Sequence, residues 1–245
     1  AEKAGLSPND QVLKVDGESL EGLSLQEAVN KIRGEKGSEV TLEIKRPGVD
    51  EPLEVSIVRD SIPVETVYVD TKEQNGKKIG VIELTSFSES TAEEMKAELE
   101  KMEKAGIDGL VIDVRGNPGG LLPAAEGILE QFIPKDKPML QIEDENGKKT
   151  RYFSKLAEPK EYPVAVLVNE GSASASEILA ISLKEALGYE VVGETTFGKG
   201  TVQQTIPMGD GSTIKLTRFK WLSSDATFIE GKGVEPTVEQ KMPDY

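Results

Sequence analysis

Two short apolar runs fix the kind of fold this chain can adopt. Gly109–Asp113 (GLVID) and Val164–Val168 (VAVLV) are continuous hydrophobic stretches, too short for helices and without the alternation of a strand wetted on one face. Such runs read as parallel strands buried on both sides. Each leads through a turn of small residues into a helical pattern. RGNPGG precedes a helix near 123–132, and NEGSAS precedes one running to about Leu187. Two such βα units predict an α/β sheet, which places its sites at loops on the carboxyl ends of its strands.

The rest of the chain is organised around these units. Residues 1–60 read as a small α/β module with a strand at Gln11–Val15, closed by Asp16-Gly17. Ser24-x-x-Glu27 is a capping box opening a helix whose apolar stripe is Leu25, Ala28, Val29 and Ile32. Glu39–Lys45 and Leu53–Val58 alternate like strands, with Pro47-Gly48 turning the chain between them. A second unit, 61–245, is expected to begin with a strand over 62–69. Asn75-Gly76 signals a hairpin into a strand at 79–84. A charged amphipathic helix follows over 90–104, with Thr91-x-x-Glu94 as a second capping box, and Asn146-Gly147 marks another hairpin. From Glu190 onward the pattern is mostly β.

Composition removes several chemistries. The chain has no Cys, which excludes disulfides, thiolate nucleophiles and zinc–thiolate sites. It has no His, the usual general base and the commonest transition-metal ligand. A hydrolase built on this sequence must therefore use Lys, Asp, Glu or Tyr as its base. The formal charge of −15 argues against nucleic acid as a partner, because phosphate contacts need clustered cations. No run approaches the roughly 18 apolar residues of a membrane span.

Three segments could carry chemistry. In Asn117-Pro118-Gly119-Gly120, paired glycines between a strand and a helix let backbone N–H groups approach a developing oxyanion. The same turn would serve as a tight connection needing positive φ. Gly171-Ser172-Ala173-Ser174-Ala175-Ser176-Glu177 presents serines on a turn entering a helix, where small neighbours suit a nucleophile and a hydroxyl also suits a cap. Residue chemistry does not choose among the serines. Lys199, between Gly198 and Gly200, could serve as a base, since a neutral amine accepts a proton where burial lowers its pKa. In an extended segment Gln203 would share a face with Lys199 and could orient the amine without adding charge.

DVRGNPGG (113–120), GSASASEIL (171–179) and FGKGTVQ (197–203), in this order and spacing, resemble the carboxyl-terminal processing peptidases. These are the S41-type tail-specific, PDZ-containing Ser/Lys proteases of bacteria and chloroplasts. DGSTIKLT (210–217) and GKGVEPTV (231–238) support the match, which runs over about 1–238. The resemblance implies Ser174 as nucleophile, Lys199 as general base and Gln203 as its orienting partner. It implies oxyanion donors at the N–H groups of Ala175 and of Gly119 or Gly120. It further implies a ClpP/crotonase-like α/β protease core with a β-rich C-terminal part and no metal or organic cofactor. AEKAGL, PNDQVLKVDGESL and the helix over 24–34 resemble part of a PDZ domain, whose first strands would precede Ala1. By the same likeness the partners are protein or peptide substrate C-termini, the location is extracytoplasmic, and a homodimer would form through regions absent from this chain. A non-catalytic PDZ-linked scaffold, with Ser174 as a cap, and a crotonase-type acyl-CoA enzyme are the competing readings.

Overall fold

The computed structural model of the chain describes residues 4–7, 9–60, 65–209 and 212–241. The chain divides into two compact units, Ala1–Val64 and Glu65–Tyr245.

The first unit is an antiparallel sheet of β1 (Gln11–Val15), β2 (Glu18–Ser19), β3 (Glu39–Lys45) and β4 (Leu53–Val58) in the order β2-β1-β3-β4, with one helix, α1 (Leu25–Ile32). In β3 the alternation EVTLEIK buries Val40, Leu42 and Ile44, which with Val15 form a small core. The capping box at α1 is present: the Ser24 N–H donates to Glu27 Oε2 at 2.8 Å and the Glu27 N–H returns to Ser24 Oγ at 3.4 Å.

A bidentate pair ties the start of this unit to the end of β3. Arg46 Nε and Nη2 each donate to an Asp10 carboxylate oxygen at 2.8 Å. Hydrogen bonds from Arg46, then from the Ser7 N–H, lower the Asp10 pKa to about 2. A depressed folded-state pKa means the pair's contribution is complete above about pH 4 and is lost as pH falls toward 2. Asp10→Asn should therefore lower the denaturant midpoint at pH 7, and the difference from the parent should close by about pH 2. A gap that stays constant over that range contradicts this assignment.

The second unit contains two sheets. The larger, in the order β14-β11-β10-β7-β6-β5, combines β5 (Val67–Gln74), β6 (Lys77–Leu84), β7 (Gly109–Asp113), β10 (Val164–Val168), β11 (Glu190–Gly193) and β14 (Val238–Glu239). Every neighbouring pair is parallel except the β5–β6 hairpin. The smaller sheet is antiparallel in the order β12-β13-β8-β9, from β8 (Pro138–Glu143), β9 (Lys149–Phe153), β12 (Thr201–Pro207) and β13 (Thr213–Leu222). Helices α2 (Thr91–Lys104), α3 (Leu122–Leu129) and α4 (Ala175–Leu187) complete the unit. One core joins both sheets and the helices, drawing Ile82, Ile112 and Val166 from strands, Met95, Ile128 and Leu179 from helices, and Trp221 from β13.

The hairpin at Asn75-Gly76 forms as expected, with both residues at positive φ (53° and 73°). Two local expectations need correction. The strand expected over 62–69 begins at Val67, and residues 61–64 lie outside those described. The capping box at Thr91 and Glu94 does not form. Ser90 is the N-cap residue of α2, and the Thr91 hydroxyl lies buried against Thr66 Oγ1 at 2.6 Å while accepting the Ser88 N–H at 2.8 Å. Tertiary partners have claimed the side chain that the local motif assigned to the helix end.

Candidate active site

β7 and β10 are parallel neighbours, with Leu167 opposite Asp113, so the loops that follow them leave the same end of the sheet side by side. They are stitched together by polar side chains. Asn169 Oδ1 accepts the Gly116 N–H at 2.7 Å and the Gly171 N–H at 3.1 Å. Ser172 Oγ donates to the Val114 carbonyl at 2.7 Å, and Ser176 Oγ to the Asn117 carbonyl at 2.9 Å. Both of these serines are fully buried. Ser174, between them, is only partly buried and lines a cavity of about 350 Å³. Burial thus separates three serines that residue chemistry could not.

Ser174 has φ 55° and ψ −113°, a conformation that costs a residue with a side chain about 1–3 kcal/mol and is held only where its surroundings insist. Its N–H donates to Glu177 Oε2 at 2.8 Å, and its carbonyl accepts the Glu177 and Ile178 N–H groups at 2.9 and 3.0 Å. The main chain of Ser174 and the side chain of Glu177 therefore serve the start of α4.

Glu177 also reaches the lysine loop. Its Oε2 accepts the Lys199 N–H at 2.9 Å, and its Oε1 accepts the Gly198 N–H at 2.6 Å and the Thr196 hydroxyl at 2.5 Å. With the Ser174 N–H, this fully buried carboxylate takes four donors and, among the described residues, no cation. Four hydrogen bonds near a helix N-terminus replace the hydration lost on burial. The Lys199 carbonyl is held from the other side by the Trp221 indole N–H at 3.0 Å. The flanking glycines are tightly packed. A Cβ on Gly198 would lie 2.9 Å from Gly233 N, and one on Gly200 3.0 Å from the Phe228 ring. Glu177 is a residue the sequence reading passed over, although Ser-x-x-Glu at 174–177 is itself a capping-box pattern that signals a carboxylate folded back on the serine's N–H.

The glycine turn closes the site. A Cβ on Gly119 would sit 2.7 Å from the Ala173 carbonyl and 2.9 Å from Ser174 Cβ, so only glycine lets this turn meet the serine. The Gly119 N–H donates to Asn117 Oδ1 at 2.8 Å, whereas the Gly120 and Ala175 N–H groups have no acceptor among the described residues.

Ser174, Ala175, Gly120, Lys199 and Gln203 all line the one cavity, with Leu121, Leu122, Ile178, Val202 and Trp221 as its apolar walls. Gly119 lies just behind this lining, against Ser174. The geometry around Gln203 differs from a simple extended face, because β12 begins only at Thr201 and carries a bulge between Val202 and Gln203. Ser174 and Lys199 both line the cavity, with no direct hydrogen bond between their side chains. Among the described residues no group of three or more acidic side chains converges to hold a metal ion.

The sequence matches the pattern of Peptidase family S41 over residues 78–240. The chain belongs to this family. Residues 1–46 match a PDZ domain. Over its whole length the chain is 55% identical to the carboxy-terminal processing protease CtpB of Bacillus subtilis (strain 168) and 48% identical to CtpA of the same strain. It spans 51% and 52% of those proteins, about half of each. Among solved structures the photosystem II D1 C-terminal processing protease superposes with a TM-score of 0.66 at 29% identity, over 98% of this chain and 65% of that one. The mixed α/β fold with a PDZ portion expected from the S41-type motifs is the fold observed.

Proposed function

We propose that the chain is the PDZ and protease portion of a serine endopeptidase that cleaves protein substrates near their C-termini through an acyl-enzyme on Ser174. The observation that carries this reading is the buried Glu177 carboxylate. It binds the backbone of a strained, cavity-facing serine and of a lysine at once, in a protein that has no histidine. Ser174 Oγ attacks the scissile carbonyl while neutral Lys199 takes its proton, and the lysine then protonates the leaving amine. Lys199 next activates water, which hydrolyses the acyl-enzyme. Gln203 orients the amine. The hydroxyl–amine bond, which the two side chains do not make at rest, forms as substrate fills the cavity, since catalytic hydrogen bonds commonly tighten only in the bound complex. The N–H groups of Ala175 and Gly120 hold the oxyanion. Gly120 is preferred because the N–H of Gly119 is already given to Asn117.

Substrate C-termini fit the carboxy-terminal processing for which the relatives are named. An extracytoplasmic location and a homodimer made through regions outside this chain belong to the same proposal. Among the described residues no helix is long and apolar enough to cross a membrane.

A lysine must be unprotonated to act as base, and a free lysine is so only near pH 10. Peptidase kcat/KM should accordingly rise with pH from the neutral into the alkaline range. A profile flat from about pH 5 to 10, with chemistry limiting, contradicts a lysine base.

A further inference from the structure

We propose that Asn117 is a positioning residue for oxyanion stabilisation: its side-chain amide fixes the glycine turn so that Gly120, and not Gly119, offers its N–H to the cavity. The proposal rests on the serine-peptidase reading and deepens it.

Asn117 is fully buried, and its amide is used at both ends. Nδ2 donates to the Leu84 carbonyl at the end of β6 at 2.7 Å, and Oδ1 accepts the Gly119 N–H at 2.8 Å. Its own carbonyl accepts the Ala173 N–H at 3.0 Å and the Ser176 hydroxyl at 2.9 Å, so the same residue is pinned to the serine loop. The first peptide plane of the turn, ending in the Gly119 N–H, is thereby fixed from the asparagine side. The second is fixed by Phe87, whose N–H donates to the Gly119 carbonyl at 3.1 Å. A trans peptide points its C=O and N–H in opposite directions. With the Gly119 carbonyl turned to Phe87, the Gly120 N–H of that plane faces away from Phe87, and Gly120 lines the cavity. Without the Asn117 acceptor, the Gly119 N–H would need another partner, and at φ 99° and 147° the two glycines are free to rotate toward one.

The test combines Asn117→Ala and Asn117→Asp with a peptide boronic acid, which takes up a serine oxygen as a tetrahedral anion. Asn117→Asp keeps an acceptor for Gly119 but sets an oxygen against the Leu84 carbonyl. In whichever variant stays folded by thermal unfolding, kcat should fall about 10- to 100-fold with KM within about twofold. Boronate affinity should fall in parallel with kcat, while affinity for the corresponding product peptide stays unchanged. A merely structural role would scale all of these with the folded fraction. A folded variant with parental kcat and boronate affinity overturns the proposal. If neither variant folds, the crystal structure of the parent boronate adduct decides: the adduct oxygen should lie on the Gly120 N–H, and an oxygen seated on the Gly119 N–H overturns it. Failure of the underlying reading looks different, since then no adduct forms at Ser174 at all.

Discussion

Replacing Ser174 with alanine should stop peptide hydrolysis, with a loss of about 10⁴-fold or more in kcat, and leave the protein folded. Ser174 is partly buried at the cavity and its hydrogen bonds to Glu177 and Ile178 are main-chain ones, so alanine removes chemistry without removing these supports. Relief of the strain at φ 55° is not expected either, because alanine is no freer there than serine. Lys199→Ala should cost nearly as much. Its N–H bond to Glu177 and the indole bond to its carbonyl are again backbone contacts, and they survive truncation. Since the two residues act as one unit, the double variant should be no slower than either single variant. Lys199→Arg should not rescue turnover, because a guanidinium stays protonated over the working range. Steady-state kinetics with thermal unfolding on each variant checks the set. Substantial turnover in either alanine variant contradicts the roles given to these residues.

The second large effect is expected at Glu177, which contacts no substrate in this account. Glutamine has the same shape but a single acceptor oxygen, so its NH₂ must face either the Ser174 and Lys199 N–H groups or the Gly198 N–H and Thr196 hydroxyl. In the first orientation two N–H donors are left facing a third; in the second the Gly198 N–H is, while the Thr196 hydroxyl can turn to accept, so the cost is about 1–3 kcal/mol of stability. Activity should fall more than the folded fraction does, by about 100-fold, because the strained serine and the lysine loop lose their common anchor and ångström-scale misplacement alone has costs of that order. Glu177→Asp should also fail, since a carboxylate one methylene shorter cannot span both loops. Comparing kcat with the denaturant midpoint for these variants separates the two effects. A stable Glu177→Gln protein with near-parental kcat would show that the clamp is not needed for catalysis.

Much of this architecture was legible in the sequence because it follows from local pattern. The two apolar runs could only be buried strands, and the small-residue turns after them could only lie at their carboxyl ends. Asn75-Gly76 specified its hairpin through backbone conformations that few other dipeptides adopt. The cost of a missing histidine narrowed the base to a handful of residue types before any fold was considered. What stayed hidden depends on contacts between segments far apart in the chain. Nothing local separates Ser172, Ser174 and Ser176; their difference arises because Val114 and Asn117 offer carbonyls to the outer two. Thr91 looked like a cap until Thr66 claimed it. Gly119 and Gly120 are alike in sequence, and it is contacts with Asn117 and the distant Phe87 that tell them apart. Glu177 was read as one letter of a helix start, whereas its second carboxylate oxygen bonds a loop more than 20 residues away.

Mapping of the residue modified by a fluorophosphonate, with intact mass and peptide mass spectrometry on the parent and on Lys199→Ala, decides whether Ser174 is the nucleophile and Lys199 its base. One adduct is expected, on the peptide containing Ser174, forming faster as pH rises and largely lost without Lys199. An adduct on any other residue, or equal labelling of Ser174 with the lysine removed, contradicts these roles.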